Sequence, residues 1–169
     1  MIAWDRLILL APLFAMAISF HEYAHAWMAD RLGDPGPRWA GRLTLNPLKH
    51  LDLWGTLMLL FIGIGFAKPV MVDARNFRDP VRDMMRVALV GPVANLILAV
   101  VFAVILRTLG PALGPVWDRF LFQGVWLNVA LAFFNFLPIP PLDGSRIVSA
   151  FVGWRTRYFL AQMEPYGFL

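Results

Sequence analysis

Ser19-Phe20-His21-Glu22-Tyr23-Ala24-His25-Ala26 closes the first long apolar run of the chain and reads H-E-x-x-H. On a helix, residues four apart project from one face about a turn apart, so His21 and His25 can hold one metal ion between their imidazoles. Glu22, beside the first of them, can point at a water on that metal and take its proton. The setting sharpens the signal. Three polar residues interrupt a segment otherwise apolar enough for a bilayer, where ionisable groups are costly and usually functional. The same five residues also fit a helix end at a membrane interface with both histidines facing water, so the remainder of the chain has to decide.

Composition places that stretch in a membrane. Of 169 residues, 59% are hydrophobic and 15% charged, with a mean hydropathy of +0.63. Those apolar residues far exceed what a soluble core of this size can hold, so the class is a polytopic membrane protein. The net charge of +4 and the pI near 10.1 do not indicate nucleic acid, because the basic residues lie in loops between apolar runs. Cysteine is absent, which excludes disulfides and thiolate metal sites and leaves any metal to His and carboxylate. Only three histidines occur, so a pair at i, i+4 is informative.

The first run could pass for a signal peptide, with Ala24-His25-Ala26 as a cleavage site. Asp5 cancels Arg6, however, and no positive cluster precedes it. Residues 7–29 are therefore expected to be a retained transmembrane helix of about 34 Å. Residues 30–37 then bring Gly and Pro breakers, and 38–45 alternates weakly, as a short strand would. A second apolar run, 51–67, is short and holds Gly55, Gly63 and Gly65. Another short extended piece is expected at 68–73. Runs at 87–106 and 120–137 follow, separated by a Gly/Pro loop at 110–115. With no repeat or linker, residues 1–169 read as one domain.

The last run ends in Asn135-Phe136-Leu137-Pro138-Ile139-Pro140-Pro141-Leu142-Asp143-Gly144. Prolines at this density break the helix and free backbone polar groups, which is tolerated at membrane depth only inside protein or beside a wet cavity. Asp143 is the candidate third ligand, since two histidines and one carboxylate leave the fourth position of zinc open. Taken alone it reads as the N-cap of a helix starting at Gly144; beside H-E-x-x-H it reads as the ligand.

Together these pieces resemble the site-2 protease family of intramembrane zinc metalloproteases, in its short bacterial form. The resemblance rests on His21-Glu22-x-x-His25, Gly91-Pro92-x-Ala94-Asn95 and Asn135-x-x-Pro138-x-Pro140-x-x-Asp143-Gly144. It rests also on Gly41-Arg42-Leu43-Thr44-Leu45-Asn46-Pro47 and Ala67-Lys68-Pro69-Val70. It implies one zinc ion on His21, His25 and Asp143, Glu22 as general base, and hydrolysis of a peptide bond within a membrane helix. The implied partners are the bilayer and a single-span membrane protein or signal-peptide remnant, and the implied location is the bacterial cytoplasmic membrane. No PDZ or CBS module fits here. Family chains usually continue further, and Glu164-Pro165-Tyr166-Gly167-Phe168-Leu169 reads as the entrance to another apolar helix, so a truncated chain is expected.

Topology decides whether these ligands can meet. Four full crossings would put Asp143 on the side opposite the histidines. Making 51–67 re-entrant repairs this and places 30–50, 68–86 and 144–169 on one face. Those segments carry four, five and three Lys/Arg, twelve of the fifteen, so that face is the cytoplasmic one and the site lies near it. The expected fold is an all-α polytopic membrane protein with three full transmembrane helices, one re-entrant segment and short β-like pieces near the cytoplasmic face.

Four other polar residues have readings of their own. Asn135 could donate to a tetrahedral oxyanion or tie down the broken backbone. Asn95 and Asn128 read as interhelical hydrogen-bonding residues, and His50 as an interfacial loop residue. The extended pieces could offer an edge to an unwound substrate. The alternative functions are a non-catalytic membrane-helix binding protein of the same fold, against which Glu22 counts, and metal transport, which needs polar residues at several depths.

Overall fold

The chain's computed structural model describes residues 4–62 and 67–163. Seven α-helices among them follow in order: α1 (Trp4–Leu32), α2 (Gly36–Trp39), α3 (Leu53–Ile62), α4 (Pro80–Leu113), α5 (Pro115–Asn135), α6 (Asp143–Ser149) and α7 (Trp154–Met163). The long apolar runs at 7–29, 87–106 and 120–137 become α1, α4 and most of α5. α4 starts where Asp79 accepts a hydrogen bond from the Arg82 amide and Pro80 occupies the first turn. Its 34 residues span about 51 Å. Gly114, at φ 86°, then reverses the chain directly into α5.

α1, α4 and α5 each give one residue to a buried apolar cluster of Leu13, Phe102 and Leu121. Gly124 lets α5 approach α4, because a Cβ there would lie 2.8 Å from the Phe102 ring. Elsewhere burial runs opposite to a soluble bundle. Ser19, His21, Glu22, His25, Asn95 and Asn128 are inside, while Val93, Ile97, Val100 and Val104 of α4 and Phe122, Trp126 and Phe133 of α5 are exposed. Such a broad outer apolar surface is built for an apolar surrounding rather than water. α4 alone among the described helices is long and apolar enough to cross a membrane by composition. α1 and α5 are diluted by their interior polar residues.

The C-terminal end of α1, the N-terminal end of α4 and α6 share one end of the bundle. There Ala29, Phe77 and Val87 form a second buried cluster. Asp34, fully buried, accepts from the Asp73 amide at 2.8 Å and from Asn76 Nδ2 at 2.8 Å, stapling the loop after α1 to the loop before α4. Loops 33–50 and 67–79 thus lie together, and the Gly114 turn lies at the far end of α4.

Residues 51 and 67 meet in an antiparallel bridge, and the Lys68 amide donates to the His50 carbonyl at 2.8 Å. The segment between them therefore leaves and returns at one place. α3 within it is about 15 Å long, half a hydrocarbon layer.

Two expectations need correcting. Residues 38–45 are not a strand: the end of α2 and a turn at Gly41, φ 66°, occupy them, since Pro37 and Gly41 favour tight turns over a ladder. Residues 68–73 hold no ladder either, and the Leu51–Ala67 bridge is the sole strand-type pairing among the described residues. His50 lies in the loop after the Pro47–Lys49 turn and is fully buried there, with its Nε2 donating to the Thr44 carbonyl at 2.7 Å. The glycines at 63 and 65 and the apolar entrance at 164–169 lie outside the described residues.

Candidate metal centre

One turn of α1 carries both histidines inward, with their Nε2 atoms 3.0 Å apart. Each ring is held from behind. His25 Nδ1 lies 2.7 Å from the Val87 carbonyl, which can only accept, so Nδ1 carries the hydrogen. His21 Nδ1 lies 2.7 Å from Asn95 Oδ1. Asn95 Nδ2 donates to the Ala17 carbonyl and to Asn128 Oδ1, so its oxygen is the end that accepts from His21. Both histidines therefore turn Nε2, the nitrogen these acceptors leave free, toward each other.

Asp143 completes the arrangement. Its Oδ2 lies 3.1 Å from His21 Nε2 and 3.3 Å from His25 Nε2, and it is buried without a hydrogen-bond donor. Two ring nitrogens and a carboxylate oxygen thus converge, an arrangement that calls for a cation or a shared proton between them. Ligands on a tetrahedral zinc with bonds of 2.0–2.1 Å stand about 3.3 Å apart. The spacing and the donor set fit such an ion.

The local sequence explains how the third group arrives. Pro138, Pro140 and Pro141 stop α5, and α6 begins at Asp143 with Leu142, not Asp143, at the cap position and no side-chain cap bond. Gly144 packs where a Cβ would lie 2.3 Å from the Phe136 and Leu137 carbonyls. α6 therefore sits tight against the broken end of α5 and aims Asp143 at the histidines. The N-cap reading of Asp143 does not describe its side chain.

Gly91 on α4 is the floor of the site. A Cβ there would stand 2.4 Å from His25 Nε2 and 2.7 Å from His21 Cε1. Gly91→Ala should push the imidazoles off their positions and strip the protein of metal, which elemental analysis of the purified variant checks. Metal content equal to the wild type would show that the histidines are not where a metal binds.

Glu22 lines a cavity of about 420 Å³ together with His21, His25, Asp143, Asn135 and Arg146. Phe14, Ile18, Val70, Leu131 and Phe134 supply its apolar walls. The Glu22 Oε2 accepts the Val70 amide at 2.9 Å and lies 4.0 Å from the Arg42 guanidinium. Burial lowers the Arg42 pKa from its usual value while Glu22 opposes that, and an arginine stays charged throughout. Asn135 Nδ2 donates to the Leu131 carbonyl at 3.0 Å, so its amide is tied to its own helix. Asn95 and Asn128 do bond between helices, as expected. That Asn95 also carries His21 could not be read from the chain alone, although it lies in the Gly91-Pro92-x-Ala94-Asn95 motif. Neither could the Val87 and Val70 backbone contacts, which leave no trace in side-chain identity.

Two imidazoles and a carboxylate that could hold a metal ion converge beside a second carboxylate at one end of an apolar helical bundle, a donor set suited to a metal-dependent hydrolase. The profile of Peptidase family M50 matches residues 107–165. The chain is 40% identical over 161 residues, 91% of its length, to "Putative zinc metalloprotease YwhC" of Bacillus subtilis, covering 74% of that protein. It is 35% identical over 168 residues to "Putative zinc metalloprotease Rip2" of Mycolicibacterium smegmatis, covering 64% of it. It is also 30% identical over 132 residues, 76% of its length, to "Putative zinc metalloprotease MJ0611" of Methanocaldococcus jannaschii, covering 63% of that protein. No solved structure matches the chain. The chain belongs to peptidase family M50, the site-2 proteases, and is a metalloendopeptidase of that family.

Proposed function

We propose that this zinc metalloprotease cuts a peptide bond within or near a transmembrane helix of a single-span membrane protein or a signal-peptide remnant. The observation that carries this reading is the placement of the converging His21, His25 and Asp143 atoms inside a bundle whose outer faces are apolar. A substrate reaching them arrives from the bilayer.

When bound to His21, His25 and Asp143, zinc supplies Lewis acidity, polarising the scissile carbonyl and acidifying water. Glu22 takes a proton from the attacking water as its oxygen adds to the carbonyl carbon. The same carboxyl then hands the proton to the amide nitrogen as the C–N bond breaks. Asn135 has a second N–H beyond the one given to Leu131, and we assign it to the developing oxyanion. The apolar walls hold the flanking residues of an unwound substrate helix. We assign residues 68–73, which have no ladder partner, as the edge along which its backbone lies. A binding protein without activity would have no use for a carboxylate beside the ligands.

Reconstituted with a single-span substrate, the protein should carry about one zinc per chain. Treatment with 1,10-phenanthroline should abolish cleavage and added zinc should restore it. Cleavage indifferent to the chelator would overturn the reading.

We further propose three full crossings by α1, α4 and α5, with 51–67 re-entrant and loops 30–50 and 68–86 cytoplasmic. The meeting of residues 51 and 67 and the twelve basic residues on those segments and 144–169 support this. Because the chain has no cysteine, single cysteines can be placed at 38, 75 and 112 and labelled from either side. Positions 38 and 75 should react from the cytoplasm and 112 from the other side. Opposite labelling of 38 and 75 would sink the re-entrant topology.

A further inference from the structure

Gly41-Arg42-Leu43-Thr44-Leu45-Asn46-Pro47 stands apart from the metal ligands, yet its arginine reaches the catalytic machinery. The Arg42 side chain is 8% exposed and its guanidinium forks between two backbone carbonyls. Nη1 donates to Lys49 and Nη2 to Lys68. These carbonyls flank the excursion 51–67 on its two sides. The same Nη2 is the atom 4.0 Å from Glu22 Oε2. Two residues beyond Lys68, the Val70 amide donates to that Oε2 at 2.9 Å.

We propose that Arg42 is a positioning residue for the general base: by pinning the Lys49 and Lys68 carbonyls together it sets the Val70 amide on Glu22. Holding one carboxylate oxygen orients the other toward the reacting water. The inference rests on Glu22 acting as the base. An arginine suits this place because its planar fork can serve two carbonyls at once, whereas a lysine ammonium is a point charge on a flexible stem. Among the described residues, few other contacts do the same work. Besides Arg42, the ends of the excursion are joined by the Leu51–Ala67 bridge and by the Lys68 amide on the His50 carbonyl. Without the fork, residues 68–70 can shift by fractions of an ångström while every metal ligand stays in place. Catalysis is sensitive to displacements of that size, since an error near 1 Å can cost about 100-fold.

The test is a double-mutant cycle on the full chain in liposomes with a single-span substrate. Arg42→Met should lower kcat between about tenfold and 100-fold, with KM little changed and zinc content equal to the wild type. Arg42→Lys, able to reach one carbonyl, should fall between the two. Hydrogen exchange should become faster across residues 67–72 in Arg42→Met, a readout independent of turnover. In a Glu22→Gln background, adding Arg42→Met should change the residual rate less than about twofold, because groups acting as a unit are not additive. An equal fold-loss in both backgrounds would assign Arg42 a general structural role and overturn the inference. So would unchanged kcat in Arg42→Met. Should Arg42→Met fail to hold zinc, the same cycle is read with Arg42→Lys, whose loss must likewise vanish beside Glu22→Gln. Full activity in Glu22→Gln alone would instead overturn the protease mechanism, so the two failures are distinct.

Discussion

Glu22→Gln should slow cleavage of a membrane substrate at least about 100-fold while zinc stays bound. The lower bound follows from the typical contribution of general-base assistance, about 10²–10⁴-fold. Glutamine keeps the shape of glutamate and can still accept the Val70 amide through its oxygen, so the loop at 68–70 need not move. What it loses is the ability to take a proton. The His21, His25 and Asp143 atoms do not involve Glu22, which is why metal content should be unaffected. Uncut substrate should remain bound and be recoverable with the variant. Cleavage at the wild-type rate with zinc in place would mean that another group activates the water.

Asp143→Ala should lower zinc affinity by more than about 100-fold, the upper end of what losing a mere supporting partner of a ligand costs. Two ring nitrogens and a carboxylate oxygen converge here. Removing the one anion among them leaves two neutral imidazoles, a poor site for a divalent ion. The alternative role, capping α6, makes a different forecast: a loss near 1 kcal/mol in stability with metal retained. The structure speaks against capping, since Leu142 occupies the cap position with no side-chain bond. Dialysis of the variant against a zinc buffer followed by elemental analysis separates the two. Full occupancy would remove Asp143 from the coordination shell.

Much of the site could be read from the chain because its chemistry is local. His21, Glu22 and His25 lie within one helical turn, and the periodicity of an α-helix alone puts both imidazoles on one face. The long apolar runs foretold α1, α4 and α5 for a similar reason: in a bilayer, only internally hydrogen-bonded segments persist. Asp143 was legible as a candidate through the three prolines before it, which mark a break that needs a purpose.

What the chain alone left open are relations between distant segments. Whether Asp143 caps a helix or faces the histidines depends on how α6 docks against α5, which the missing Cβ of Gly144 allows. Weak alternation at 38–45 suggested a strand, but side-chain pattern cannot outweigh turn geometry when no strand among the described residues is there to pair with. His50 looked like a loop residue beside Lys49, and only the folding of 44–51 over it made it buried. The supports of the centre are decided the same way. Asn95 lies 74 residues from His21, Val87 62 from His25, and Val70 48 from Glu22. The sequence by itself determined the metal-binding residue types, the apolar helices and the family. Tertiary structure decided which nitrogen each histidine presents and where the base is held, because those depend on backbone carbonyls and amides that every residue carries and no residue name reveals.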